Sequence, residues 1–135
     1  MSNVLIERYY AAFNAADWPA MLECLTEDVA HDINQGGREM GRAAFAAFLE
    51  RMARSYREQV ADLVVMVSAD GSRAAAEFTI HGAYLAADAG MPLATGQTYT
   101  LPVGAFFDIR DGRIARVSNF YNLTDWLAQV GLEVV

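Results

Sequence analysis

Residues 45–71, FAAFLERMARSYREQVADLVVMVSADG, decide the architecture of this chain, because the hydrophobic period changes partway along them. Phe45, Phe48, Leu49, Met52 and Tyr56 recur at three- and four-residue steps, the spacing of one helix face. Glu50 and Arg54, four apart, form a favourable pair on the opposite, wet side. From residue 59 onward the period becomes two. Leu63-Val64-Val65-Met66-Val67 reads as a strand, and Asp70-Gly71 reads as a hairpin turn into a second strand, Arg73 to Leu85.

Before this switch the chain reads helical. Leu5, Tyr9, Ala12 and Phe13 share a helical face, so residues 3–15 are expected to pack one side inward. Asp17 ahead of Trp18-Pro19 restarts a helix, since Asp caps free N–H groups and Pro is tolerated in a first turn. Met21, Leu22 and Leu25 then face the core, a short strand covers Val29 to Ile33, and Asn34-Gln35-Gly36-Gly37 is a turn. After the switch, residues 86–96 read as a loop, Thr98 to Ile109 as a strand, Asp111-Gly112 as a turn and Arg113 to Asn122 as a strand. Thr124-Asp125-Trp126 opens a last short helix. Helices first and a strand meander last predict an α+β fold. Its N-terminal helices would pack on the concave face of a strongly bent, mixed-to-antiparallel sheet.

Composition narrows the function classes. A chain of 135 residues, 54% hydrophobic and 20% charged, is long and apolar enough for one domain over residues 1–135. Seventeen acidic against ten basic side chains leave a formal charge of −7, a field that repels phosphate backbones, so no nucleic-acid partner is expected. The N-terminal residues lack a basic leader, and no apolar run approaches membrane-helix length, so the expected address is the cytoplasm with no membrane partner. Cys24 lies among apolar neighbours and reads as a small buried hydrophobe. Two histidines 50 positions apart, with no cysteine pair, predict no metal site, and no phosphate loop or nucleophile motif appears; no cofactor is expected.

Arg8-Tyr9-Tyr10-Ala11-Ala12-Phe13-Asn14-Ala15-Ala16-Asp17 resembles the first-helix motif of ketosteroid isomerases. Leu25-Thr26-Glu27-Asp28-Val29 and Gly41-Arg42-Ala43-Ala44-Phe45 fit the same superfamily, the nuclear transport factor 2-like or SnoaL-like proteins. The chain looks closest to the ketosteroid-isomerase-related bacterial group. The resemblance implies a cone of helices on a bent sheet, a fold that hosts isomerases, dehydratases, cyclases, epoxide hydrolases and non-catalytic binding modules. It also implies a pocket and often a dimer through the outer sheet face. The family's isomerases combine a carboxylate base with a Tyr and a neutral Asp on the oxyanion. By position the Tyr matches Tyr9. The neutral Asp falls on Gly104-Ala105-Phe106, where there is no acid, and the base falls on Asp32 or Ile33 depending on the anchor used.

Candidate chemistry therefore centres on His31-Asp32, the polar run in an apolar setting, with either residue able to move a proton. Strand alternation puts Val29, His31 and Ile33 on one face and Ala30, Asp32 and Asn34 on the other, so only one of the two enters the pocket, His31 being favoured by its apolar company. Tyr9, Asn119 and Tyr121 are expected to supply hydrogen bonds to a carbonyl or enolate oxygen, and Phe48, Phe78, Ile80 and Tyr84 to supply apolar wall. His81, with Thr79 and Ala83, falls on the outer face, where weak charge suggests a covering second copy. The expected function is a cofactor-independent isomerase, dehydratase or cyclase acting by proton transfer on a small apolar carbonyl compound. The alternative is a non-catalytic ligand- or protein-binding dimer of the same fold.

Overall fold

The computed structural model describes residues 2–132. Its elements run α1 (Ser2–Asn14), α2 (Trp18–Glu23), β1 (Leu25–Asp32), β2 (Arg38–Met40), α3 (Arg42–Ser55), β3 (Tyr56–Val67), β4 (Arg73–Tyr84), β5 (Gln97–Arg110), β6 (Arg113–Tyr121) and α4 (Leu123–Gln129). The strands form one six-stranded sheet in the order β2-β1-β6-β5-β4-β3, with the N-terminal helices packed against it. This is the expected α+β cone. Pairing is antiparallel except where β6 returns beside β1, and that pair is parallel. A parallel pair needs a long crossover, and here α3 and the β3–β5 meander provide it.

Three boundaries differ from the sequence reading. The first strand begins at Leu25 rather than Val29, and the short β2 pairs with it over Ala30 to Asp32. The helix of residues 42–55 stops at Ser55, and β3 starts at once with Tyr56, seven residues earlier than Leu63. Tyr56 satisfies the helical spacing and the strand alternation equally, so its period alone could not place it.

Bulges help to bend the sheet. The β3–β4 register shifts between Ala61 and Val64, where Asp62 has φ +56°, and β5–β6 shifts at Asp108/Ile109. Two asparagines close the backbone ledger. The Asn14 side chain donates to the Val60 carbonyl (3.0 Å) and accepts from its N–H (2.7 Å), standing in for a neighbouring strand on the β3 edge. Asn34 does the same for Tyr121, at 3.0 and 3.2 Å, and so extends the β1–β6 ladder beyond the end of β1. Asp17 accepts from the Ala20 N–H and caps α2 as its position predicts.

Phe78, Ile80, Tyr99, Leu101, Val103, Phe107 and Val117 alternate onto the inner face and meet Ile6, Tyr9, Phe45 and Leu49 from the helices. Truncating a fully buried side chain such as Phe107 to Ala would cost about 3–5 kcal/mol. Cys24 is fully buried with Sγ directed at the Ala20 carbonyl, and packs as a hydrophobe. Among the described residues no helix is long and apolar enough to cross a membrane.

Candidate functional site

Between the helices and the inner sheet face lies a cavity of about 520 Å³, within the range of small-molecule sites. Its wall is mainly apolar: Phe45, Phe48, Leu49 and Met52 from α3, Phe13 from α1, and Phe78, Ile80, Leu101 and Val103 from the sheet. The polar exceptions are the candidate site residues.

His31 is one of them. Strand alternation turns it inward, where it is 2% exposed, with Phe45 tilted over its ring at 4.6 Å and Phe48 edge-on at 4.7 Å. Its Nδ1 is buried, without a hydrogen bond, and 4.0 Å from Oε1 of Glu39, its cross-strand partner on β2. His31 lines the cavity, and with Nδ1 closed off against Glu39 its Nε2 is the ring nitrogen left for a ligand. Burial lowers the His31 pKa below the usual 6.5, outweighing Glu39 and Asp32, which pull the other way. The ring is therefore neutral at neutral pH, with a free lone pair.

Asp32 requires a correction. It faces away from the cavity into a polar network on the outer side. Arg38 grips it through Nε (2.6 Å) and a terminal nitrogen (3.0 Å), and the Ser118 hydroxyl donates to it at 2.5 Å. These contacts, Arg38 first, hold its carboxyl at about 2. A group ionised at every working pH, and outside the cavity, is no proton shuttle. Alternation across one peptide separates the two candidates: His31 faces in, Asp32 out.

Tyr9 lines the cavity from α1, 3% exposed, edge-on to Tyr10 (5.0 Å) and Phe107 (5.9 Å). Burial, with Cys24 nearby, pushes its hydroxyl well above the ordinary tyrosine value, so it keeps its proton. Asn119 and Tyr121 line the same cavity from β6, as do Phe48, Phe78 and Ile80. Tyr84 does not. It is fully buried, stacked on Tyr56 at 5.3 Å, and its hydroxyl donates to the Pro92 carbonyl (2.7 Å) and accepts from the Asp88 N–H (3.1 Å). Its work is to anchor the loop of residues 86–96, because the last inward position of β4 lies beyond the cavity. His81 is exposed on the outer face beside Thr100. Among the described residues no group of three His, Cys, Asp or Glu side chains is placed to hold a metal ion.

Sequence reasoning missed Glu58. It lines the cavity from β3, and burial raises its carboxyl above the ordinary value, against a lowering hydrogen bond from Tyr99. The Tyr99 hydroxyl donates to Glu58 Oε2 at 2.5 Å. Glu58, Gly82 and Tyr99 occupy one cross-strand row, and a Cβ at Gly82 would collide with the Tyr99 ring. The available signal was the alternation Tyr56, Glu58, Val60, hidden because Tyr56 also continued the helical series.

A helix-covered, sharply curved sheet closed around one inward cavity defines a nuclear transport factor 2-like protein. Within that superfamily the chain belongs to the SnoaL-like domain family, whose model matches residues 6–117. Three solved structures show high likeness, each a candidate polyketide cyclase. The one from Pseudomonas putida KT2440 is 65% identical, with a TM-score of 0.95 over 97% of this chain and 98% of that one. Those from Xanthomonas campestris pv. campestris (59%, TM-score 0.95, 96% of each chain) and Silicibacter sp. TM1040 (51%, TM-score 0.94, 96% and 95%) follow. No curated protein matches the chain.

Proposed function

We propose that the protein is a cofactor-independent enzyme that moves protons on a small, largely apolar carbonyl compound bound in the cavity. The observation that carries this reading is His31: a neutral imidazole in an apolar wall, with Nδ1 turned to Glu39 and Nε2 left for a ligand. His31 Nε2 takes a proton from the carbon next to a carbonyl. The C–H electron pair becomes the C=C bond of an enolate, and the negative charge collects on oxygen. Tyr9, with Asn119 or Tyr121, donates hydrogen bonds to that oxygen, and such preorganised donors act most strongly where water is excluded. The proton on His31 then returns to another carbon, giving an isomer. Alternatively the enolate carbon attacks a second carbonyl of the same molecule, and the proton goes to the new alkoxide, giving a ring. The names of the three relatives support the cyclase branch.

The first experiment is deuterium uptake. In D₂O the wild-type protein is expected to accelerate α-proton exchange of 2-tetralone, a bicyclic ketone, well above the buffer rate. Binding of 2-tetralone without any acceleration would favour the non-catalytic module.

The outer sheet face supports a homodimer. Val64, Met66, Phe106 and Phe120 are about half exposed there, with Phe106 and Phe120 edge-on at 5.7 Å. An apolar patch of this kind is commonly covered. Light scattering is expected to give twice the single-chain mass at micromolar concentration; the single-chain mass would oppose it.

A further inference from the structure

Glu58 is a titratable group that the scheme above leaves idle. It lines the same cavity as His31 but from the opposite end of the sheet: β1 stands second and β3 sixth in the strand order. Four inter-strand steps separate their strands, roughly 19 Å of path along the curved sheet at about 4.8 Å per step, and both side chains reach inward across the bend, so the gap between their polar atoms is shorter. One ligand lying along the cavity would thus meet a polar group at each end.

Three features make this a built position. Tyr99 reaches across an intervening strand to hold Oε2 at 2.5 Å, which fixes the carboxyl and leaves Oε1 for the cavity. Gly82 lies under the Tyr99 ring, where any side chain would collide. Glycine weakens a strand interior, so the row is kept at a cost in stability. Lastly, Glu58 has no cationic partner within ion-pair distance among the described residues. A cavity carboxyl without a counter-ion, held from one side by a phenol, has one acceptor to offer.

We propose that Glu58, positioned by Tyr99, forms a second polar subsite that accepts a hydrogen bond from a neutral hydroxyl of the ligand, a phenol or enol. The preferred ligand then carries a ketone at the His31 end and a hydroxyl at the Glu58 end of an apolar skeleton. A neutral hydroxyl fits better than an ammonium group. Burial favours the uncharged carboxyl, and a hydroxyl pairs with either form whereas a cation needs the ionised one. The inference rests on reading the cavity as a ligand site, and it deepens that reading by naming the ligand's second functional group.

The test compares 6-hydroxy-2-tetralone with 2-tetralone by calorimetry. Wild type is expected to bind the hydroxylated ketone about tenfold more tightly, the upper scale of a neutral hydrogen bond in net affinity. Glu58→Leu is expected to abolish the preference, Glu58→Gln to leave a reduced one, and Tyr99→Phe to reduce it with Glu58 still present. His31→Gln is expected to keep the preference while losing exchange. Equal binding of the two ketones by wild type, binding of neither, or a preference that survives Glu58→Leu would overturn the proposal. So would tighter binding of the cation 2-aminotetralin than of 6-hydroxy-2-tetralone. A hydroxyl preference without any α-proton exchange would sink the catalytic reading and leave this subsite standing. Exchange without the preference would do the reverse.

Discussion

Tyr99 donates its hydroxyl hydrogen bond to Glu58 at 2.5 Å, over the bare backbone of Gly82, which pairs with both residues in one cross-strand row. Their backbones stand two strand intervals apart, so Glu58 is reachable only by a long side chain lying flat on the strand between. A glycine in the middle of β4 is thereby explained by its neighbours and not by a turn.

Gly82→Ala is accordingly expected to destabilise the fold by about 1–3 kcal/mol, because the new methyl displaces the Tyr99 ring. The sign should reverse once the ring is gone. In a Tyr99→Ala background the same change removes a flexible residue from a strand and is expected to be neutral or to stabilise by about 0.5 kcal/mol. Urea midpoints of the four proteins test this, and a Gly82→Ala cost independent of residue 99 would contradict the contact.

Glu58 makes stability depend on pH. Its folded pKa is raised above the ordinary 4.5, so the native state holds the proton more tightly than the unfolded chain does. Its contribution is complete below pH 4.5 and is lost as pH rises through the folded value. Glu58→Gln cannot ionise, and the variant is therefore expected to gain stability relative to wild type as pH goes from 4.5 to 8. A constant difference in melting temperature across that range would refute it.

Asp32 behaves in the opposite way. Arg38 and Ser118 hold its pKa at about 2 against an ordinary 3.8, so its contribution is present above pH 3.8 and is lost as pH falls towards 2. Its side chain is 32% exposed, and solvent screening limits the pair to about 1 kcal/mol. Asp32→Asn should cost that amount at pH 7 and nothing near pH 2, and leave ketone exchange unchanged. Loss of exchange in this variant would return Asp32 to the catalytic machinery.

Tyr9→Phe removes a donor to the proposed oxyanion and little else. It is expected to lower the exchange rate on the order of 10²-fold with a much smaller change in ketone affinity, since the oxygen's charge grows only towards the transition state. An equal loss in affinity and rate would mark Tyr9 as ordinary wall.

Much of this was legible from residue patterns. The switch from helical to alternating period located α3 and the meander, and the Asp-Gly pairs located two turns. His31 could be placed inside because Val29 and Ile33 share its parity. Three features were hidden. The parallel β1–β6 pair is a long-range contact with no local signature. Tyr84 has the inward parity of Phe78 and Ile80, but parity does not show where along the strand the cavity ends. Glu58 was masked by Tyr56, which sits where helix spacing and strand alternation coincide. Its partner Tyr99 lies 41 residues away and is adjacent only once β3, β4 and β5 align.

If neutral His31 takes the ketone's α-proton, its titration must appear in the pH profile of 2-tetralone exchange, followed by NMR in D₂O for wild type and His31→Gln. Because burial lowers the His31 pKa, wild-type exchange is expected to be flat at neutral pH and to fall only below pH 6.5, as the ring protonates. His31→Gln, folded by circular dichroism, is expected to be slower by 10²–10⁴-fold and to lose that inflection, the scale of a general base. A variant that keeps the wild-type rate and inflection would contradict the account.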